Sequence, residues 1–493
     1  MKNLSKNMKT LIYSGAGLVA LAAVLLILLL TRASQEPAEE IPGEDTSYLT
    51  FTDLTSADVV SISVKNETDD YVIEQIGEET FDISELLGAP RNETALNNPA
   101  RYMSGFKARQ IVEENVSDFA KYGLEEPRAE VMALFKNGET LRLYIGDKTP
   151  TTEEMTYIRK KDDSTVYAAW SYYTNFSKQD RRYYVALDLT ADYETAGAPD
   201  VSKLTIERAG EETYIVEAMP KRAEDEVITT LNLHRIVEPV QIELSYSESQ
   251  SFVFGLYGLS ATEVEYVGRE MPADDITGFN SPAAFIEMTA ADETYSLKIG
   301  KAVYETIADA DGVAKEVLKG YLGIYSEYPD VIFVFSPDAL PWLNFSLEKI
   351  MAKTFLLPYI YNVSDFTVET PARTLAFEFR GDTETEEYFM SGAKVDTDKF
   401  KKLYQYCISA SAEALFKGDA ESVKEMPLMA RFTYKYRDLN KPDDVVALYD
   451  SGDRRCIITV NGEPMFTCRA MYITRLEQNI EAYLNGETLI MSW

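Results

Sequence analysis

The longest run of apolar positions lies near the N-terminus, from Leu11 to Leu30, and it contains no charged residue. A helix of about twenty residues is about 30 Å long, which matches the hydrocarbon core of a bilayer. The run therefore predicts a transmembrane helix at residues 11–30. A cleaved signal peptide is the alternative interpretation, although its apolar core is usually about 7 to 15 residues long.

The charges beside this run predict its orientation. Basic residues precede it and acidic residues follow it, at Lys2, Lys6 and Lys9 and at Glu36, Glu39 and Glu40. Because positive residues stay on the cytoplasmic side, we expect residues 1–10 to be cytoplasmic. Residues 31–48 form an acidic linker that contains two prolines. The rest of the chain is then the extracytoplasmic ectodomain of a single-pass protein of the cell membrane.

Beyond the linker, three hexamers repeat one pattern of apolar and hydroxyl-bearing residues, and each is typical of a strand. They are Val59 to Val64, Val201 to Ile206 and Val363 to Val368. Their spacing of about 140 to 160 residues is the size of a domain and is too long for a solenoid repeat. The pattern predicts three repeat units, at residues 49–190, 191–361 and 362–493, of which the third is diverged or shortened.

Two short motifs follow the hexamer in the same order in the first two units, namely Tyr-Gly-Leu and then Ile-Gly. A glycine that ends a short helix adopts the left-handed conformation and lets the next residue return to the core. We therefore interpret these positions as structural, and the third unit lacks Tyr-Gly-Leu. The predicted motif positions are Tyr122, Gly123, Leu124, Gly146, Tyr257, Gly258, Leu259 and Gly300.

Helical periodicity predicts one main helix in each unit, at residues 95–114, 225–237 and 398–416. For the last helix, Thr397 is the predicted N-cap and Gly418 the predicted stop. Strands follow at residues 445–449, 455–460 and 464–468, with Asn461-Gly462 as a hairpin turn. The predicted fold class is α+β: one N-terminal transmembrane helix, then tandem units of mainly antiparallel sheet with packed helices.

The chain is strongly acidic, with 48 Lys and Arg against 81 Asp and Glu and a formal net charge of −33. Such a charge repels phosphate backbones and anionic headgroups, so we expect no nucleic-acid partner. The chain has three cysteines, Cys407, Cys456 and Cys468, which are too few for a disulfide framework. Cys456 and Cys468 could still pair across a hairpin.

The sequence contains no recognisable catalytic motif. Its single histidine, His234, cannot build a histidine-rich metal site, and the H-E-x-x-H, G-x-S-x-G and P-loop patterns are absent. We predict no catalytic, cofactor-binding or metal-binding residue, and we expect a protein that is not an enzyme. Two acidic pairs and 32 tyrosines keep open a role in binding or hydrolysing envelope polymer. The pairs are Asp69-Asp70 and Asp162-Asp163.

The order of these features resembles the bacterial family called domain of unknown function 4340. The resemblance rests on the apolar span, the acidic linker, the Val-x-x-Ile-x-Val strand at residues 59–64, Tyr-Gly-Leu at 122–124 and Leu-x-Ile-Gly at 143–146. Members of that family accompany transporters similar to the gliding-motility ABC exporter. The resemblance implies a non-enzymatic accessory or scaffold subunit of an ABC-type complex, whose partner is a membrane permease. The alternative is a membrane-anchored module that binds or hydrolyses cell-envelope polymer.

Overall fold

The structure is a computed structural model that describes residues 48–197, 200–221, 227, 229–308, 312–383 and 385–493. The predicted cytoplasmic N-terminus, the transmembrane helix and all of the linker before Tyr48 lie outside these residues. Among the residues that are described, no helix is both long enough and apolar enough to cross a bilayer.

The described chain is built from three large antiparallel sheets, so the sheet-rich, repeated fold predicted from the sequence is confirmed. The first sheet has eight strands, and β1 and β5 form a separate ribbon of two strands beside it. The elements of this unit are β1 Leu49–Thr50, β2 Val59–Asn66, β3 Asp70–Gly77, β4 Thr80–Asp82, α1 Glu93–Ser104, β5 Lys107–Ala108, β6 Gln110–Glu113, β7 Ala129–Phe135, β8 Thr140–Lys148, β9 Met155–Lys160 and β10 Val166–Trp170.

The second sheet has nine strands. Its elements are β11 Val201–Arg208, β12 Tyr214–Ala218, β13 His234–Glu238, β14 Ile242–Glu243, α2 Gln250–Phe254, β15 Glu263–Val267, α3 Asp274–Thr277, β16 Ala284–Ala290, β17 Glu293–Ala308, β18 Ala314–Tyr325, β19 Val331–Phe335 and α4 Leu347–Ile350.

The third sheet also has nine strands. Its elements are β20 Val363–Glu369, β21 Thr374–Arg380, β22 Glu387–Met390, β23 Ala393–Lys394, α5 Thr397–Cys407, β24 Ala414–Leu415, α6 Ala420–Lys424, β25 Leu428–Tyr436, β26 Asp444–Asp450, β27 Arg455–Val460, β28 Glu463–Arg469 and α7 Met471–Leu484.

All three sheets share one strand order. The first sheet runs β4-β3-β2-β7-β8-β9-β10-β6, the second β14-β13-β12-β11-β16-β17-β18-β19-β15, and the third β23-β22-β21-β20-β25-β26-β27-β28-β24. In each unit the first strand is central, the chain turns outward to one edge, and one strand then crosses to the other edge. The chain next returns beside the first strand and meanders outward. The third unit is therefore diverged in sequence but complete in topology.

A register shift at the start of the first strand recurs in all three units. In the first unit Val59 pairs with Phe135, whereas Ser61 pairs with Leu134. Such a bulge offsets the alternation of side chains by one position, so the buried residues are the first, fourth and sixth of the hexamer. These residues are Val59, Ile62 and Val64, then Val201, Leu204 and Ile206, then Val363, Phe366 and Val368.

A short lead-in segment attaches each unit to the chain that precedes it. Leu49 pairs with Ala108 in the first unit, and Asp188 forms a bridge with Ser260 in the second. In the third unit the Ala412 N–H donates to the Lys353 carbonyl, at 2.8 Å. In every unit the residue that bonds to the lead-in segment lies just before the strand that crosses to the far edge of the sheet. The connections between units are therefore hydrogen-bonded to the following unit.

Aromatic side chains from the end of each unit close one face of its sheet. In the third unit Tyr472 stacks on Tyr406, with ring centroids 5.1 Å apart, and the Tyr472 hydroxyl donates to the Cys407 carbonyl, at 2.8 Å. In the second unit the Trp342 indole N–H donates to the Phe252 carbonyl, at 2.8 Å. These contacts bury large apolar surfaces and satisfy the polar atom of each ring.

The predicted helices agree with the structure only in part. The predicted helix at 95–114 is helical as far as Ser104, and Gln110–Glu113 is a strand. The prediction for 225–237 is wrong where the structure describes it, because His234–Glu238 is a strand whose buried residues alternate. The helix predicted at 398–416 ends at Cys407, and its N-cap is Asp396, one residue before Thr397.

The strands predicted near the C-terminus are confirmed. The predicted strand at 455–460 has the bounds of β27, and the other two differ from β26 and β28 by one residue at each end. Asn461 and Gly462 both have positive φ, of 54° and 92°, as a two-residue hairpin turn of this kind requires.

Candidate functional site

The first Tyr-Gly-Leu motif anchors a loop to the outer face of the first sheet. Gly123 has left-handed angles and follows a 3₁₀ turn, and Leu124 is fully buried, as the sequence predicted. Gly146 lies directly beneath the loop, because a Cβ at this position would be 2.2 Å from the Tyr122 carbonyl oxygen. The loop can approach the strand this closely because residue 146 has no side chain.

The structural counterpart of this motif in the second unit is Thr277-Gly278-Phe279. A Cβ at Gly300 would be 2.2 Å from the Thr277 carbonyl oxygen, and Gly278 has a φ of 71°. The Ile-Gly motifs at Gly146 and Gly300 are therefore equivalent. The two Tyr-Gly-Leu motifs are not, since residues 257–259 follow α2 and precede the edge strand β15. The two triplets have the same sequence, but they lie at different positions in the strand order of their units.

The second Tyr-Gly-Leu motif holds the lead-in segment of the second unit. The Gly258 N–H donates to the Ala191 carbonyl at 2.9 Å, and the Leu259 N–H donates to the Thr190 hydroxyl at 2.8 Å. Leu259 is buried, and Gly258 has a φ of 70°. Tyr257 remains half-buried and faces Tyr193, with ring centroids 5.7 Å apart.

A cleft opens beside this second motif, and we treat it as the candidate functional site. Its volume is about 670 Å³, which lies in the range of small-molecule sites. Its aromatic wall comprises Tyr193, Tyr246, Phe254 and Tyr257, and its acidic rim comprises Asp192, Glu194 and Asp338. Among the described lining residues none is basic. We call this the acidic-aromatic cleft.

Two ring contacts fix the wall of the acidic-aromatic cleft. Tyr193 stacks on Phe254 with ring centroids 4.2 Å apart and an interplanar angle of 28°. Burial, together with the charge of Asp200, raises the pKa of Tyr193, so its hydroxyl stays protonated at neutral pH. Tyr246 is 48% exposed, and its ring is available for stacking.

Asp192 on the rim is an ionised hydrogen-bond acceptor. Asp192 accepts hydrogen bonds from the Thr195 N–H at 2.8 Å and from the Thr195 hydroxyl at 2.7 Å, and these bonds lower its pKa. General acid catalysis by a carboxyl group at neutral pH requires a raised pKa. The cleft therefore offers stacking surfaces and hydrogen-bond acceptors.

The single histidine lies in an adjoining cavity of about 820 Å³, which shares Tyr193 and Phe254 with the cleft. His234 Nε2 lies 2.9 Å from the Val201 carbonyl, and the ring contacts Phe254 edge-on, with centroids 5.5 Å apart. Burial lowers the pKa of His234, so the neutral ring is favoured. The histidine, which is the first residue of β13, therefore contacts the first residue of β11.

The acidic pairs are held by structural contacts. Asp69 forms an ion pair with Arg181 and also accepts a hydrogen bond from the Arg181 backbone N–H, at 2.9 Å. Asp163 accepts hydrogen bonds from the Thr165 N–H and the Tyr167 hydroxyl, both at 2.9 Å. Asp69 thereby ties the turn between β2 and β3 to the segment after β10, and Asp163 orders the turn before β10.

Groups of three or more potential metal ligands are absent from the part of the chain that the structure describes. Cys456 and Cys468 are opposite each other in the β27–β28 ladder, and they and Cys407 are free, buried thiols.

Sequence reasoning missed the residues of the acidic-aromatic cleft. Asp192, Tyr193 and Tyr246 come from irregular segments, and Asp338 comes from a short turn more than 80 residues later. The available signal was that Tyr193 and Tyr246 stand outside the strand-like runs that hold many of the other tyrosines.

Comparison with known proteins gives a family match over part of the chain. A family model with the description "Domain of unknown function (DUF4340)" matches residues 82–264 and confirms the resemblance seen in the sequence. The match begins at the end of β4 in the first sheet and ends within β15 of the second. No curated protein and no solved structure matches the chain.

We predict that Gly146→Ala and Gly300→Ala each destabilise the protein by about 1 to 3 kcal/mol, because the added methyl group would overlap a carbonyl oxygen. Urea unfolding of the full chain measures the change. The matched control is Gly88→Ala, where a Cβ would have no atom within 4 Å. Equal unfolding midpoints for Gly146→Ala and Gly88→Ala would contradict the close approach.

We also predict an acid-dependent contribution from the ion pair between Asp69 and Arg181. Hydrogen bonds from Arg181 lower the pKa of Asp69 from 3.8 to about 2. Since the folded pKa is the lower one, this stabilisation is present above pH 3.8 and is lost as the pH falls towards about 2. The destabilisation caused by Arg181→Gln should therefore shrink over that range in urea unfolding.

The control for this measurement is Arg380→Gln. Arg380 and Glu378 form an ion pair in which both side chains are about half exposed, and such surface pairs contribute little. A pH-independent effect of Arg181→Gln would show that the pair does not set the acid sensitivity.

Proposed function

We propose that this chain, a member of the family Domain of unknown function (DUF4340), is a non-enzymatic extracytoplasmic accessory or scaffold subunit of an ABC-type, gliding-motility-like transport complex. In this proposal the apolar run at residues 11–30 anchors the chain in the cell membrane. The sheets then stand outside the cytoplasm, and a transporter permease is the partner. The feature that carries the proposal is a protruding hairpin of the second unit.

The hairpin of β17 and β18 is much longer than its counterparts in the other units. β17 has 16 residues, whereas the equivalent strands β8 and β26 have 9 and 7. β16 pairs with β17 as far as Ile299, and β19 pairs with β18 from Tyr321 to Gly323. Residues 304–308 and 314–318 therefore pair with each other as a two-stranded ribbon beyond the sheet. We call this ribbon the β-arm.

The β-arm exposes apolar side chains to solvent. Tyr304 is 60% exposed, Ile307 45% and Leu318 38%, and Tyr304 is directly opposite Leu318. A ribbon of two strands is marginally stable in water, and exposed apolar patches on such an element mark protein contacts. Because the other two units have short hairpins at the equivalent place, the β-arm is a specific extension and not part of the repeat.

Charge does not distinguish the β-arm from the rest of the acidic chain. The arm contains one lysine and two glutamates, and the residues that connect its strands include Asp309 and Asp311. The proposed contact therefore rests on the exposed apolar side chains. The rest of the ectodomain then positions the β-arm relative to the membrane.

Photo-crosslinking in the native membrane tests this proposal. A photoreactive residue at Ile307 should give an adduct with the permease. The same residue at Glu153 or Asp453, which are exposed on the equivalent short hairpins of the first and third units, should give several-fold less. The proposal would be contradicted if none of the three positions gave an adduct with a transporter component.

A pair of substitutions tests the contact itself. Tyr304→Asp with Ile307→Asp should reduce recovery of the permease at least tenfold, because burying a charged group in place of an apolar one is unfavourable. The control is Ile76→Asp, since Ile76 is 66% exposed in the first unit. Unchanged recovery with the double variant would place the contact elsewhere.

The second candidate function is binding or hydrolysis of cell-envelope polymer, and the acidic-aromatic cleft favours it. Tyr246→Ala should weaken co-sedimentation of the full chain with purified wall polymer at least tenfold, whereas Tyr246→Phe should retain binding because it retains the ring. Tyr183→Ala is the control, since Tyr183 is 49% exposed in the first unit. Failure of the unmodified chain to co-sediment would exclude the binding role.

A further inference from the structure

An apolar groove lies where the second unit meets the third. Its volume is about 530 Å³, within the range of sites for small organic ligands. It is distinct from the acidic-aromatic cleft and from the β-arm. Its apolar lining comprises Leu231, Leu357, Pro358, Ile360, Tyr404 and Ile408.

The floor of this groove is built from ordered contacts. Tyr404 is buried in α5, and its hydroxyl donates to the Pro358 carbonyl at 2.6 Å. This bond joins the third unit to the second, and within the second unit the Leu357 N–H donates to the Thr229 carbonyl at 2.7 Å. At the rim, Leu231 is 70% exposed and Tyr359 is 55% exposed. Covering such surface removes apolar area from water and so stabilises a complex.

Lys401 is the one charged residue among the described residues that line the groove. Its Nζ lies 3.4 Å from the Tyr361 hydroxyl and 5.3 Å from the centre of the Tyr361 ring. Within the part of the chain that the structure describes, Lys401 forms no ion pair with a carboxylate. Lys401 therefore presents an ammonium group without a carboxylate partner beside an apolar surface.

We propose that this groove binds an amphiphile with a long hydrocarbon chain and an anionic head, and that the head lies at Lys401 Nζ. The hydrocarbon chain would cover the apolar wall and the exposed Leu231. The ligand is a free fatty acid, whose one carboxylate matches the one lysine of the lining. The acyl chain of an anionic lipid, which presents the same two chemical parts, is the other outcome that the test distinguishes.

The lining chemistry favours an amphiphile over a peptide. A peptide brings backbone N–H and C=O groups that must find partners when they are buried. Apart from Lys401, the side chains here offer Gln405 and tyrosine hydroxyls, and the Tyr404 hydroxyl already donates to Pro358. A hydrocarbon chain needs no such partners, and its single anionic head matches the single lysine.

Photoaffinity labelling of the full chain in nanodiscs of neutral lipid tests the proposal. The probes are a sixteen-carbon fatty acid and the alcohol of the same length, each with a diazirine in the chain. The acid should label the protein at least tenfold more than the alcohol, and the labelled peptides should contain residues 357–361 or 401–408. Lys401→Gln should remove this preference for the acid and leave labelling by the alcohol unchanged.

Matched variants separate binding from folding. Lys402→Gln changes the next residue, which is exposed and does not line the groove, and it should behave as the unmodified chain does. Ile408→Glu should weaken labelling by both probes, and thermal unfolding checks that each variant is folded. A third probe, phosphatidylglycerol with a diazirine in one acyl chain, distinguishes a bound anionic lipid from a bound free fatty acid.

Labelling by the free acid supports the proposal, and labelling by the phospholipid alone would overturn it. Equal labelling of Lys401→Gln and the unmodified chain by the acid would also overturn it. So would labelling confined to peptides outside the groove. The β-arm is not involved in this experiment, so its outcome is independent of the proposed transporter contact.

Discussion

The pairing of the first strand of each unit with its return strand is the constraint on which the rest of the fold depends. β2 with β7, β11 with β16 and β20 with β25 are joined with the same register shift at the first residue of the hexamer. Because side chains alternate across a sheet, a slip of one residue would turn the buried hexamer positions towards solvent. The bulge and the apolar pattern fix the register together, and all further strands are added outward from this central pair.

The same architecture explains why the three units form a connected series. Each lead-in segment is hydrogen-bonded into the unit that follows it, next to the strand that crosses to the far edge. A connection that is paired in this way has fewer accessible conformations than a free linker. The distances between residues on different units are therefore more restricted than a free linker would allow.

The features that suggest function are differences between the units, whereas the repeated features are structural. Gly146 and Gly300 serve the same close approach of a loop in two units. The β-arm, the acidic-aromatic cleft and the groove beside Lys401 each occur at one place in the described chain. Substitution of a repeated position should act through stability, and substitution of a feature specific to one unit should act through binding.

The sequence by itself determined the sheet-rich, repeated fold, the buried face of the three first strands and the C-terminal hairpin at Asn461-Gly462. These features depend on local alternation and on turn residues with positive φ, which a single sequence displays. The strand β13 was missed, because a short apolar segment fits helical and extended periods alike until its partner strand is known. Tyr257-Gly258-Leu259 was matched to the wrong position, since three residues carry no information about the path of the chain.

Tertiary structure alone decided where the candidate sites lie. Asp192 and Asp338 share the acidic-aromatic cleft although they are far apart in sequence, and Leu231 and Lys401 share a groove formed by two units. The β-arm begins where β16 and β19 stop pairing with β17 and β18. Such sites arise from long-range contacts between strands and loops, and no spacing along the chain records which distant residues those contacts bring together.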